Sequence, residues 1–387
     1  MRKLLAMILV GATCFSLAAC GSSSTTSDSS TESTTSSSEE STSSSTSTGT
    51  VDNSYAEDTD ALVEAYADQF EQVEYTDEET GLSITYNVFL PEGYDESESY
   101  PTVFFIGDSS CTGDDATTSL TQGRGALVWA ADEWQEANPT IVIVPSYPET
   151  ILDDHGSFTT TEYVEMTKNF IEDMEETYAV DTDRVYGTGQ SMGCMTTLIL
   201  ATEYPDLYTA CMFVDGQWDT ETLSNLEDLT FAYFAAEDDT NAYNGITEVM
   251  SMFDEDGASY EYAQWDGTWS TDELSEATEE LFSSDSNAYF ISWESGTIEP
   301  KSTGMSGGGS APSGESFGGP GSDSSDDSSS DSSSEKKEFA APSTESDASS
   351  DSSESSTSVD SSAYHMASFD YAYRCIAVME WLFEQTK

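Results

Sequence analysis

An α/β fold around a mostly parallel, doubly wound sheet is what this sequence predicts, and two observations carry that reading. Apolar runs of strand length alternate with stretches of helical spacing from about residue 81 to residue 267, the pattern of repeated βαβ units. At residues 189–193 one of those strands turns into a helix through a serine flanked by glycines, which needs a sharp turn at the sheet's edge.

Taken in order, the elements begin after Gly81. LSITYNVFLPEGYD alternates apolar and polar positions until Pro91 stops it, as an antiparallel strand does. PTVFFIGDSS is an apolar run closed by Gly107 and polar residues; GALVWAADEWQEAN predicts a helix over 125–138, and TIVIVPSYP a buried strand. TTTEYVEMTKNFIEDMEETY has helical spacing with Thr and Glu at its start. DRVYGTGQSMGCM then turns from strand to glycines, and TTLILATEYP continues as helix. Strands in YTACMFVDG and LTFAYFAAEDD, a helix in GITEVMSMFDEDG and a strand in SYEYAQWDG follow. The spacing predicts an amphipathic helix from Tyr371 to Gln385.

Outside this alternation the composition changes. Residues 1–20 place two positive charges before an apolar run and small residues, the layout of a secretory signal and too short to span a bilayer. Leu17-Ala18-Ala19-Cys20 resembles the lipobox of bacterial lipoproteins, which implies lipidation of Cys20 and residence on the outer face of the cell membrane. Residues 21–50 are almost wholly Ser, Thr, Gly and acid, a disordered tether by composition, and 301–362 form a second such tract, acidic and rich in Ser and Gly. The folded domain is therefore expected over 51–300 plus 363–387.

Acids outnumber Lys and Arg by 75 to 10, for a formal charge of −65 at pH 7. Such a surface repels phosphate backbones and anionic lipid, which excludes nucleic-acid partners and leaves the lipid anchor as the one membrane contact. Cys111, Cys194, Cys211 and Cys375 form no C-x-x-C pair and only two histidines are present, so no zinc site and no cofactor is expected. All four cysteines lie in apolar or glycine-rich segments and are expected to be buried thiols.

Gly189-Gln190-Ser191-Met192-Gly193 fits G-x-S-x-G between a strand and a helix, which presents the Ser191 hydroxyl to a base. Among the histidines only His365 follows Ser191, as the serine–acid–histidine chain order requires. His155, in the acidic loop DDHGS, reads as a solvated loop residue. His365 is expected in a loop just before the last helix. Asp239 is the first choice for the acid that orients the imidazole, with Glu237 and Asp238 left open beside it. The backbone amides of Met192 and of Asp108, in the loop after the first parallel strand, are the expected oxyanion donors. Trp265 and Trp269, expected in a loop, are candidates for stacking on a ring of the substrate.

VDTDRVYGTGQSMGCM, EDDTNAYNG and HMASFDYAYRCIAVMEWLF resemble the serine esterases of the α/β-hydrolase fold, the group with feruloyl-esterase-like, polyhydroxybutyrate-depolymerase-like and prolyl-oligopeptidase-like secreted enzymes. The resemblance implies Ser191, His365 and Asp239 as a catalytic triad and an acyl-enzyme route to ester cleavage, with feruloyl or acetyl esters of plant carbohydrate among the substrates. A secreted peptidase of the same fold and a non-catalytic surface-binding lipoprotein are the alternatives. The chain departs from the family at Gly107-Asp108, where His-Gly is usual, at Cys194 in place of a third glycine, and in the long insert between acid and histidine.

Overall fold

The structure, a computed structural model, describes residues 53–154, 156–301 and 361–387. The export segment with Cys20, the tether over 21–50, His155 and nearly all of the 301–362 tract lie outside the described residues. Those described belong to one unit, Thr50–Lys387. Its strands are β1 (Glu71–Thr76), β2 (Ser83–Phe89), β3 (Tyr100–Ile106), β4 (Ile141–Ser146), β5 (Leu152–Asp153), β6 (Thr159–Thr160), β7 (Val180–Gln190), β8 (Ala210–Val214), β9 (Phe231–Ala236), β10 (Glu261–Trp265) and β11 (Ala288–Trp293). Its α-helices are α1 (Thr59–Tyr66), α2 (Thr118–Thr121), α3 (Asp132–Ala137), α4 (Glu162–Thr177), α5 (Met192–Glu203), α6 (Thr240–Asp256), α7 (Thr271–Leu281), α8 (Ser361–Ala372) and α9 (Ile376–Phe383).

Nine strands form one sheet in the order β1-β2-β4-β3-β7-β8-β9-β11-β10, while β5 and β6 pair with each other. β2 is antiparallel to both of its neighbours; from β4 to β10 every pairing is parallel, which is the predicted class. Side chains alternate between two cores. Phe213 of β8 and Phe231 and Tyr233 of β9 pack on the face that also buries Phe170 of α4, Leu198 of α5 and Ile246 of α6. Met212, Val214, Ala232 and Phe234 point to the other, where Leu62 of α1, Leu274 of α7 and Met379 of α9 close over them.

Helix α5 is buried almost all round, although it carries three threonines. The hydroxyls of Thr196, Thr197 and Thr202 each donate to the carbonyl four residues back, at 2.7 to 2.8 Å, so these polar atoms enter the core with partners.

Two predicted elements differ, and one strand is added. The segment over 125–138 is a short 3₁₀ turn (Leu127–Ala130) followed by α3, because the Gln135 side-chain amide donates to Trp129 O and Thr140 O in place of helix bonds. The closing helix is two helices, and α8 begins ten residues before the expected Tyr371. β11, which was not expected, inserts between β9 and β10. Trp265 correspondingly ends β10 and is core, packed on Phe234 and Trp293, so it is no loop residue open to a substrate ring. Trp269 does lie in the following loop, half-buried.

The order reverses direction between β3 and β7, the middle strand of the nine, and such a switch opens a crevice at the carboxyl ends of the strands. There the β7–α5 turn presses on the end of β3. A Cβ on Gly193 would stand 1.9 Å from Ile106 O and 2.9 Å from Gly107 O, and one on Gly189 2.5 Å from the Gly193 carbonyl carbon. Gly193→Ala should therefore lose about 2 kcal/mol or more of stability, a fall of roughly 4 °C or more in a thermal melt. An unchanged melt would show that the end of β3 yields freely.

Candidate active site

Ser191 sits between β7 and α5 with φ 53° and ψ −115°, a strained pairing for a residue with a Cβ. Its amide donates to Val214 O at 3.0 Å, which ties the turn to the neighbouring strand β8. The hydroxyl is left for His365, whose Nε2 lies 2.9 Å from Ser191 Oγ.

His365 is not in a loop but in the second turn of α8. The misreading has a physical cause: α8 buries Ala363, Ala367, Ser368, Phe369 and Asp370 with no polar stripe, so it lacks the amphipathic period that marks a surface helix. Its imidazole packs edge-on against Phe369, 4.8 Å between centroids. The other ring nitrogen, Nδ1, meets Asp239 Oδ2 at 2.5 Å.

The three adjacent acids after β9 are sorted by geometry. Asp239 is buried, caps α6 through Ala242 N, and turns its second oxygen to His365. Glu237 accepts from Gln264 Nε2 and Ser295 N, and Asp238 from Ser295 Oγ and Gly296 N, so both hold the loop after β11. Sequence left the choice open because the strand that anchors Glu237 and Asp238 was itself unseen.

Met192, the first residue of α5, and Ser191 border an open cavity of about 800 Å³ together with Ser109, Gln217, Asn241 and His365. Asp108 follows β3 and abuts this turn; its carboxylate accepts from Ser110 N at 2.7 Å and Gln122 Nε2 at 2.6 Å. Gln122 Oε1 in turn accepts from Gln190 Nε2 at 2.6 Å, so Gln122 clamps the loop after β3 to the Ser191 turn. Nothing in the sequence marked it. Among the described residues no group of three or more His, Cys, Asp or Glu could hold a metal ion, and the four cysteines are buried free thiols.

Sequence reasoning also missed Asp215, which follows β8 in the left-handed region at φ 47° and is fully buried. Its Oδ1 accepts from Ala236 N at 3.0 Å and its Oδ2 from Ser368 Oγ. The first partner ends the strand that leads to Asp239, and the second lies one turn beyond His365. Burial, and then the charge of Asp239, push the Asp215 carboxyl well above the usual carboxylate range. A positive φ on a non-glycine residue at a strand end was the signal available, and only in three dimensions.

The Esterase family model matches residues 78–277, more than half of the sequence. The chain belongs to the Esterase family. The sequence has no match among curated proteins. In fold this esterase-family chain is similar to a thermostable esterase, at 20% identity and a TM-score of 0.55, over 83% of this chain and 64% of the other, so it spans just under two thirds of that protein. It also matches a ferulic acid esterase from Anaeromyces mucronatus in complex with ferulic acid (17% identity, 49% of this chain and 80% of the other, TM-score 0.37). An S-formylglutathione hydrolase from Staphylococcus aureus matches at 13% identity over 49% of this chain and 88% of the other, with a TM-score of 0.38.

For His365, burial works against the charged ring and is the largest single influence. The hydrogen bond and charge of Asp239, helped by Asp215 and Asp108, outweigh it and hold the imidazole above its ordinary 6.5. Raised pKa means the proton is released at higher pH, so an NMR titration of His365 should have its midpoint above 6.5. Asp239→Asn removes the charge that favours imidazolium and should bring the midpoint down; an unmoved midpoint would detach Asp239 from the ring.

Proposed function

We propose that this chain is an exported, lipid-anchored serine hydrolase that cleaves carboxylic esters through an acyl-enzyme. The observation that carries the reading is the continuous contact Ser191 Oγ–His365 Nε2, His365 Nδ1–Asp239 at the border of an open cavity, in a member of the Esterase family.

Ser191 Oγ attacks the ester carbonyl while its proton passes to His365 Nε2, and Asp239 holds the Nδ1–H and offsets the imidazolium charge. The backbone amides of Met192 and Asp108 are assigned to the oxyanion, the former at the start of α5 where helix N–H groups are unpaired. His365 then returns the proton to the departing alcohol. Water enters, gives a proton to the same nitrogen and releases the carboxylic acid, restoring Ser191. Feruloyl or acetyl esters of plant carbohydrate are the assigned substrates: hydroxyl and amide side chains of Thr150, Thr159, Thr161, Gln217 and Asn241 line the cavity and suit a polyhydroxylated alcohol. Lipidation of Cys20 would hold the enzyme on the outer face of the cell membrane.

Ser191→Ala should leave the circular dichroism spectrum unchanged, abolish labelling by a fluorophosphonate probe and cut hydrolysis of p-nitrophenyl and feruloyl esters by about four orders of magnitude or more. Turnover retained above a few per cent would rule out the serine mechanism. Cys20→Ser should move the protein out of the membrane fraction, and unaltered fractionation would remove the lipid anchor from the proposal.

A further inference from the structure

Beyond the triad, α8 borders a second cavity of about 590 Å³, reached a turn and a half past His365 and lined by Arg124, Trp269, Lys301, Asp370, Tyr371 and Arg374. The described residues include only six Lys or Arg, and three of them meet here, in a chain of formal charge −65. Asp370 is the one buried acid among them: Arg124 Nε lies 3.5 Å from its Oδ1 and Lys301 Nζ 2.7 Å from its Oδ2. One carboxylate against three cations leaves positive charge in excess. Glu57 and Glu299 also border the cavity, but both are exposed, where water and salt screen them.

The guanidinium groups are incompletely satisfied. Arg124 is only 7% exposed; its Nε donates to Thr59 Oγ1 and its Nη2 to Glu57 O, yet its Nη1 is buried without a partner among the described residues. Arg374 donates through Nη2 to Gly267 O and Trp269 O and stacks over Tyr371, 4.7 Å from the ring centre, while its Nε is buried and has no partner among the described residues. Buried N–H groups without acceptors are costly and rare, so the two guanidinium groups beside this cavity keep donor capacity that no described residue takes up.

We propose that this cavity binds a small organic carboxylate, its charge set among Lys301, Arg124 and Arg374 and its body against Trp269 and Tyr371. Guanidinium groups favour carboxylate oxygens through charge-assisted hydrogen bonds, and the aromatic walls favour a planar or ring-shaped body over a bare inorganic ion. The assignment is independent of the ester chemistry, since it is read by binding and not by turnover.

Isothermal calorimetry on the full chain tests it with benzoate, its neutral analogue benzamide, and inorganic phosphate, all at one ionic strength, so that general screening of the acidic surface cancels. Benzoate should bind at one site, benzamide should give no saturable heat, and Lys301→Gln should weaken benzoate at least about tenfold. Lys301 is more than a third exposed, so this variant keeps the fold; Arg374→Gln, which also loses bonds to the 267–269 loop, should weaken benzoate further. Benzoate binding unchanged by Lys301→Gln, equal binding of benzamide, or phosphate binding tighter than benzoate would each overturn the proposal.

Discussion

The contact on which the rest of this molecule depends is the approach of the β7–α5 turn to the end of β3. At 1.9 Å from Ile106 O there is no room for a Cβ on residue 193, so glycine is the one residue type that lets the helix start where it does. That start fixes Ser191 at φ 53°, lifts its hydroxyl out of the sheet edge and sets the first turn of α5 beside the loop after β3. The Asp108–Gln122–Gln190 bonds then lock the same two segments together through side chains. Strain at one residue is thus held in place by close packing on one side and a polar clamp on the other.

A second constraint brings the three arms of the site into register. Ser191 is tied to Val214 through its amide, and the next residue, Asp215, reaches both the end of β9 and α8 through its carboxyl oxygens. Asp215 N also donates to Phe234 O at 2.9 Å. Ser191, Asp239 and His365 stand on separate segments far apart in sequence, so no local propensity can align them; a buried carboxyl that touches the supports of all three does so at the cost of its own desolvation.

Much of this was readable in the residues, for reasons that also explain what was not. Parallel strands buried on both faces are continuous apolar runs, which is why β3, β4, β8 and β9 could be placed from PTVFFI, TIVIV, ACMFV and FAYFAA. Ser191 was legible because its chemistry and its turn both need glycines at fixed spacing, and His365 because the chain offers so few histidines. Position in a helix was another matter: α8 has no polar face, and a run of serines precedes it. AYFISW of β11 is as apolar as its neighbours but follows a long acidic helix, and missing it hid what Glu237 and Asp238 are for. Asp215 and Gln122 act only through contacts between distant segments, and a linear pattern holds no trace of these.

One backbone bond has a practical consequence. Lys301 N donates to Ala363 O at 3.1 Å, so the two sides of the 302–360 interval are fastened side by side before any of its residues are considered. A graft placed between such fastened ends needs to satisfy only the condition that it begins and finishes in the same spot. Because the entropy of closing a flexible loop grows with the logarithm of its length, doubling the graft would cost only about 0.6 kcal/mol. The position is therefore a natural port for engineering: an affinity tag, a fluorescent reporter or a whole folded guest could be spliced in without redrawing the scaffold.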